Sequence, residues 1–154
     1  MGRTPDTVQC HALSVRDQPL ENVFDACFTY EDEAILAATE VSKFTASRSS
    51  LLELVGEGGQ LWADYAAARL WRRSGRRIEE LPTPGDVPTV PAILEDFVRV
   101  ARGELASPIP LEDGLETLVM AEACYLAHHQ GRTVRCDEVR VTAHSGPACK
   151  RGLP

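Results

Sequence analysis

The chain has 154 residues, of which 44% are hydrophobic and 25% charged, and its formal net charge is −7. This composition is that of one globular domain and excludes the disordered and collagen-like classes. The acidic balance argues against nucleic acid as a partner, because a phosphate backbone attracts basic surfaces. No segment has the length and apolarity of a membrane span or a signal peptide, so we expect no membrane partner and a cytoplasmic location.

The first half of the chain predicts an antiparallel sheet. Apolar and polar residues alternate over 8–15, 22–30 and 34–43, with turn chemistry at 18–21 between the first two runs. Shorter strands are predicted at 51–55, 60–63, 69–73 and 76–81. In the second strand, the more apolar face is expected to carry the helices, and it consists of Phe24, Ala26, Phe28 and Tyr30.

A glycine-rich segment at 56–59 lies between two of these strands. Its spacing matches neither of the common phosphate-binding loops, and the residues that follow it are typical of a strand. We therefore interpret it as a hairpin turn.

The second half of the chain predicts two helices after a proline-rich loop at 82–91. The first helix starts at Pro91 and is stopped by Gly103. The second starts at Asp113, a predicted N-cap with Glu116 three positions on, and runs to the glycine at 131. Its predicted buried stripe includes a carboxylate and consists of Leu115, Leu118, Val119, Glu122 and Leu126.

The order of elements, strands first and helices second, predicts an α+β fold. We expect an open-faced, predominantly antiparallel sheet with helices packed on one face. The domain spans 1–136 and includes a short edge strand at 133–136, and residues 137–154 are expected to form an irregular tail, because they show no period.

Cysteine and histidine positions give no metal site. The five cysteines form no CxxC pair, which favours reduced and mostly buried thiols. Cys124 and His128 lie four residues apart with His129 beside them, but two ligands on one helix face do not make a site. We expect no bound metal and histidines that face solvent.

Four polar residues on or beside the strands are candidates for binding a substrate: His11, Asp25, Glu40 and Lys43. They would converge on a ligand if they shared the uncovered face of the sheet. The alternative is that they are ordinary solvated positions of the sheet.

Several stretches, taken together in this order, resemble the C-terminal domain of Gfo/Idh/MocA oxidoreductases. They are the segments 24–30 (FDACFTY), 34–39 (AILAAT), 52–61 (LELVGEGGQL), 94–99 (LEDFVR) followed by the glycine at 103, and 113–134. The resemblance covers roughly residues 6–136 and depends on the combined order of motifs that are individually common.

This resemblance implies an open-faced sheet whose exposed face mediates dimerisation and whose one end helps to form a pocket for a sugar-like or other small-molecule substrate. In the family, NAD(P) and the catalytic lysine belong to an N-terminal Rossmann domain whose motifs do not occur in this sequence. The resemblance therefore implies no cofactor on this chain alone, NAD(P) only through a partner Rossmann subunit, and no transferable catalytic residue. It adds Lys43 and Arg48, near the loop after the third strand, as substrate-binding candidates.

Three hypotheses for function follow. In the first, the chain is a stand-alone oxidoreductase-type C-terminal domain that dimerises and holds substrate beside a separate NAD(P)-binding Rossmann subunit. In the second, it is a cofactor-free cyclase or isomerase that uses the sheet face as its pocket, with His11, Asp25 or Glu40 transferring the proton. In the third, it is a truncated, non-functional product of a longer oxidoreductase gene.

Overall fold

The computed structural model describes residues 4–14, 21–44, 48–85 and 87–145. Most of the predicted turn at 18–21 and the last part of the predicted tail lie outside these ranges. The strands are β1 (Thr7–Leu13), β2 (Val23–Tyr30), β3 (Ile35–Ser42), β4 (Leu51–Gly56), β5 (Gly59–Asp64), β6 (Arg69–Ser74), β7 (Arg77–Leu81) and β8 (Val134–Arg135). The helices are α1 (Thr89–Ala101), α2 (Leu111–Gln130) and α3 (Cys136–Ser145).

These elements confirm the α+β class and the antiparallel pairing, but they form two sheets instead of one. The N-terminal sheet has the order β3-β2-β1-β8, and the central sheet has the order β4-β5-β6-β7. The chain divides into two compact units, Met1–Phe44 with Pro108–Pro154, and Thr45–Ser107, where the sequence predicts one domain over 1–136. No ladder among the described strands joins β3 to β4.

The core of the first unit lies between the N-terminal sheet and α2. Its buried residues come from both elements and are Val8, Cys10, Ala26, Ala123, Cys124, Ala127, Val134 and Cys136. Phe24 and Phe28 pack against this cluster from β2. The predicted apolar face of the second strand is therefore confirmed as the face that carries the helix.

The face that α2 turns to the sheet differs from the predicted stripe. Leu118 and Glu122 are exposed, and the helix instead buries the small side chains of Ala123, Cys124 and Ala127. Small residues let the helix backbone approach the sheet, where the facing positions are also small. Val119 and Leu126 of the predicted stripe do pack against this core, but the prediction of a buried Glu122 is wrong, because the closest packing is on the neighbouring small residues.

The predicted C-terminus of α2 is correct, whereas its predicted N-terminus is wrong. Gly131 caps the C-terminus in the left-handed conformation, with φ of 61°, as the sequence indicates. At the N-terminus the helix begins at Leu111 after Pro110, with no side-chain cap, so Asp113 is not the N-cap. The carboxylate of Glu116 instead pairs with the Arg140 guanidinium of α3.

His128 has a structural role that its spacing does not predict. Its Nδ1 accepts a hydrogen bond of 3.2 Å from the backbone N–H of Ala12, on the side of β1 where β8 pairs only with Thr7 and Val8. The prediction that the histidines face solvent is thus wrong for His128, which is half-buried, and correct for His129, which is exposed.

Replacing His128 by alanine is expected to lower the free energy of unfolding by about 1–2 kcal/mol, because the Ala12 N–H loses its acceptor. Urea denaturation followed by circular dichroism measures this change. The matched control, His129→Ala, should stay within about 0.5 kcal/mol of the wild type. Equal losses in the two variants would contradict the assigned hydrogen bond.

The predicted irregular tail is wrong over its first part, where α3 runs from Cys136 to Ser145. The backbone N–H of Arg135 donates to the Glu138 carboxylate at 2.9 Å, which satisfies a donor at the helix start. Arg132 pairs with the same carboxylate at 2.7 Å, and Val139 packs on the core. A capping contact at Glu138 and apolar anchors at Cys136 and Val139 are too few to form a periodic pattern that sequence reasoning detects.

Glu138 gives α3 a dependence on pH. Hydrogen bonds from Arg132, first, and from the Arg135 backbone hold the pKa of this carboxyl down at about 2. The folded pKa lies below the unfolded value of about 4.3, so the contribution is present above that pH and is lost as pH falls towards 2. Glu138→Gln should weaken the fall in urea midpoint between pH 5 and pH 2.5, whereas Glu112→Gln, an exposed residue of α2, should leave it unchanged.

The hairpin between β4 and β5 requires a glycine at position 59. The turn at 56–59 joins β4 to β5 in an antiparallel hairpin, which confirms the predicted hairpin. Gly59 has φ of +128°, and a Cβ built there would lie 2.1 Å from the carbonyl oxygen of Arg73 on β6. The close approach of the neighbouring strand therefore requires glycine at this position.

The first helix, α1, starts two residues before the predicted Pro91 and ends before Gly103, whose φ is +74°. Its large apolar side chains are exposed, and they are Val90, Ile93, Leu94, Phe97 and Val98. The expected packing of this helix face on a sheet is therefore not observed.

Candidate functional site

Three of the predicted site residues form one row on the open face of the N-terminal sheet. His11 lies opposite Asp25 in the ladder of β1 and β2, and Asp25 lies opposite Glu40 in the ladder of β2 and β3. All three side chains are exposed. Directly opposed residues have Cβ atoms about 4.5–5.5 Å apart, so one small ligand can reach the whole row.

The chemistry of this row suits a ligand that carries hydroxyl groups. The two carboxylates accept hydrogen bonds, and the imidazole can donate or accept one. Two acidic groups placed opposite each other repel unless a donor lies between them. The row therefore favours a ligand that brings several donors, such as a polyol.

Lys43 lies near this row but is not part of it. It follows β3, and its ammonium group donates to the backbone oxygen of Glu21 at 2.9 Å. The Glu21 carboxylate in turn accepts a hydrogen bond of 2.9 Å from the Tyr125 hydroxyl of α2. This bond raises the pKa of Tyr125. Lys43, Glu21 and Tyr125 thus form a polar cluster beyond the row of Val23 and Ser42 that ends the sheet.

Arg48 belongs to the second unit, whereas the other four candidates belong to the first. It lines a cavity of about 980 Å³ beside the central sheet, whose wall is largely apolar. Other lining residues are Leu52, Leu54, Leu61, Tyr65 and Leu70. The five predicted binding residues therefore divide into the row of three, Lys43 in the adjoining cluster, and Arg48 in a separate unit.

Sequence reasoning missed Tyr125 and Glu21 as members of the polar cluster. Their hydrogen bond joins residues 104 positions apart, which no local spacing reveals. The only sequence signal is a tyrosine placed among the small residues of α2, beside Cys124.

Two further features of the described residues concern ligands and membranes. In the ranges that the structure describes, no group of three or more His, Cys, Asp and Glu side chains is arranged to hold a metal ion. No helix in the same ranges combines the length and the apolarity needed to cross a bilayer.

Solved structures share this fold. The chain matches an aldose–aldose oxidoreductase from Caulobacter crescentus over 87% of its own length and 42% of that chain, with a TM-score of 0.72 and 17% identity. It matches the WlbA dehydrogenase from Bordetella pertussis, solved with NADH and UDP-GlcNAcA, over 85% and 39%, with a TM-score of 0.63 and 16% identity. The chain therefore shares its fold with part of each of these oxidoreductases, in agreement with the resemblance seen in the sequence.

A third match extends the range of activities found with this fold. Biliverdin reductase from a Synechocystis species, solved with biliverdin and NADP+, is matched over 82% of this chain and 40% of that chain, with a TM-score of 0.65 and 14% identity. The chain thus spans less than half the length of each of these three oxidoreductases. No protein-family model matches the sequence, and no match to a curated protein was found.

The described residues do not fit a dinucleotide. A Rossmann crevice needs parallel strands with a glycine turn that leads into a helix. The ladders of the described strands are all antiparallel. The glycine-rich turn at 56–59 leads into β5, so its backbone N–H groups do not form a helix N-terminus.

Proposed function

We propose that this chain is the substrate-holding and dimerising domain of an NAD(P)-dependent oxidoreductase that acts in the cytoplasm. A separate Rossmann subunit supplies the NAD(P). The observation that carries the proposal is the fold match, in which most of this chain corresponds to less than half of several oxidoreductases.

The proposed substrate is a small polyhydroxylated molecule, and its proposed site is the row of His11, Asp25 and Glu40. Support comes from the cross-strand register of the row and from its mixture of acceptors and a donor. The position of the row also supports the proposal, because on this face only the pair of Val23 and Ser42 lies between the row and the end of the ladder of β2 and β3.

The proposed dimer uses the rest of the same open face. Beyond the polar row, this face continues with Cys27 opposite Ala38 and with Thr29 opposite Leu36, and Leu36 is 70% exposed. Val23 is also on this face, whereas Ile35 and Val41 alternate onto the face of Phe24. An exposed sheet face of this kind is a common protein interface.

Light scattering at tens of micromolar tests the dimer. We expect a mass of about twice 16.8 kDa, and Leu36→Arg should reduce it to the monomer value. Glu57→Arg, in the exposed turn between β4 and β5, should keep the dimer. A wild-type monomer would contradict this part of the proposal.

Nucleotide binding tests the proposal that a separate Rossmann subunit, and not this chain, binds NAD(P). Calorimetric titration of the chain alone with NADH and NADPH should give no saturable heat, because the antiparallel sheets offer no pyrophosphate site. Micromolar binding would contradict the need for a Rossmann subunit. Turnover of a polyol or aldose by the chain without nucleotide would instead support the isomerase hypothesis.

A further inference from the structure

The central sheet carries a second polar face that the proposed function does not use. Its middle row, across four strands, is Glu53, Trp62, Trp71 and Glu80. The two indole rings are stacked, with centroids 6.1 Å apart and an angle of 20° between the planes. These are the only two tryptophans of the chain.

The two ends of this aromatic stack are not equivalent. Arg69 lies over the Trp71 ring at 4.6 Å and is also held by Glu80 through two hydrogen bonds of 2.8 and 2.9 Å. Arg73 lies 5.9 Å from the Trp62 ring and, in the part of the chain that the structure describes, has no ion pair. The Trp71 end is therefore held by an ion pair, whereas the Arg73 guanidinium at the Trp62 end contacts the indole ring and, among the described residues, has no carboxylate partner.

A cavity adjoins the Trp62 end. It has a volume of about 350 Å³ and is lined on this face by Leu51, Glu53, Gln60, Trp62 and Arg73, without Trp71. That volume is within the range of roughly 300–1,000 Å³ for small-molecule sites. Among the described residues, Glu53 is engaged only by a long hydrogen bond of 3.4 Å from the Gln60 amide, so its carboxylate can accept further bonds.

The polar groups around the indole select the class of ligand. An anion would meet Glu53, and a cation would meet Arg73, so neither charge suits the cavity. The carboxylate accepts, the guanidinium donates and the amide of Gln60 does both. A neutral ring with an apolar face and alternating hydroxyl groups matches this set.

We propose that this cavity, the Trp62 site, binds a neutral pyranose ring. The ring stacks on Trp62, while its hydroxyl groups bond to Glu53, Gln60 and Arg73. The site lies on the central sheet and does not involve the row of His11, Asp25 and Glu40. A negative result for this site would therefore leave the proposed function unchanged, and the reverse also holds.

Intrinsic fluorescence reports on the site directly, because both fluorophores are in the stack. Titration with methyl glucopyranoside, methyl galactopyranoside and methyl xylopyranoside should give a saturable change for at least one of them, with a dissociation constant on the order of 1–10 mM. Sorbitol, an acyclic polyol, should give none. The absence of saturation with all three pyranosides up to about 100 mM, or an equal response to sorbitol, would overturn the proposal.

Variants locate the binding by saturation-transfer NMR. Trp62→Ala and Arg73→Gln should each weaken it at least about tenfold, and Trp71→Phe should preserve it. The matched control is Arg72→Gln, one residue along β6, whose side chain alternates to the opposite face and pairs with Glu79.

Circular dichroism identifies any variant that fails to fold, and Trp62→Phe then replaces Trp62→Ala as a milder change that should still weaken binding. An equal loss in Arg72→Gln and Arg73→Gln would overturn the proposal. Loss of the dimer in Trp62→Phe would also overturn the proposal, because it would show that a second copy of the chain covers Trp62.

Discussion

Replacing Gly59 by alanine is expected to lower the free energy of unfolding of the central sheet by about 3–4 kcal/mol. The new Cβ would meet the backbone carbonyl of Arg73 at 2.1 Å, and the φ of +128° is one that alanine rarely adopts. A backbone atom cannot rotate away as a side chain does, so β5 and β6 must separate. Urea denaturation followed by tryptophan fluorescence measures the loss, since Trp62 and Trp71 lie in these two strands.

Gly58→Ala is the matched control for this change. A Cβ at Gly58 would have no atom within 4 Å, and this residue is not in the left-handed region. We expect its unfolding free energy to stay within about 0.5 kcal/mol of the wild type. Similar behaviour of the two variants would show that the strands do not approach each other at Gly59.

Ala123→Leu is expected to destabilise the first unit by about 1–3 kcal/mol. Ala123 is completely buried in the cluster of α2 and the N-terminal sheet, next to Val8 and Ala26 in the same core. A larger side chain must push the helix away from the sheet, which loosens every contact along it. Ala121→Leu, at an exposed position of the same helix, should change stability by less than about 0.5 kcal/mol.

The strands were predictable from the sequence because alternation is a local signal. In β2 it also gave the correct faces, with Ala26 buried and Asp25 exposed. The antiparallel order of β1, β2 and β3 was also predictable, whereas the residue pairs of their ladders are seen only in the structure. The separation into two sheets was not predictable, because it depends on whether β3 and β4 pair, and no residue pattern fixes that pairing.

The helices show where hydrophobic size misleads. Leu115 and Leu118 indicated the buried face of α2, yet both are more than half exposed, while Ala123 and Ala127 are buried. Small residues carry little weight in a hydrophobic stripe, although they determine how closely a helix approaches a sheet. The helix α3 was missed because one capping carboxylate, Glu138, replaces a repeated pattern.

The candidate site was predictable only in part. His11, Asp25 and Glu40 fall in one row because their strands are antiparallel neighbours with continuous register. Tyr125 joins the adjoining cluster from a helix distant in sequence, and only the packed structure reveals that contact. Arg48 was proposed from resemblance alone, and it lies in the other unit.

The most direct test of the proposed function is a titration of the isotope-labelled chain with small aldoses and sugar acids, followed by amide NMR shifts. If the domain holds substrate without nucleotide, the shifts within the N-terminal sheet should concentrate on His11, Asp25, Glu40 and their ladder neighbours, and Asp25→Asn should reduce these shifts without changing those at the Trp62 site. NADH and NADPH should shift no amide. Shifts with the nucleotides, or an N-terminal sheet that responds to no member of the panel, would contradict a substrate-holding domain that relies on a separate Rossmann subunit.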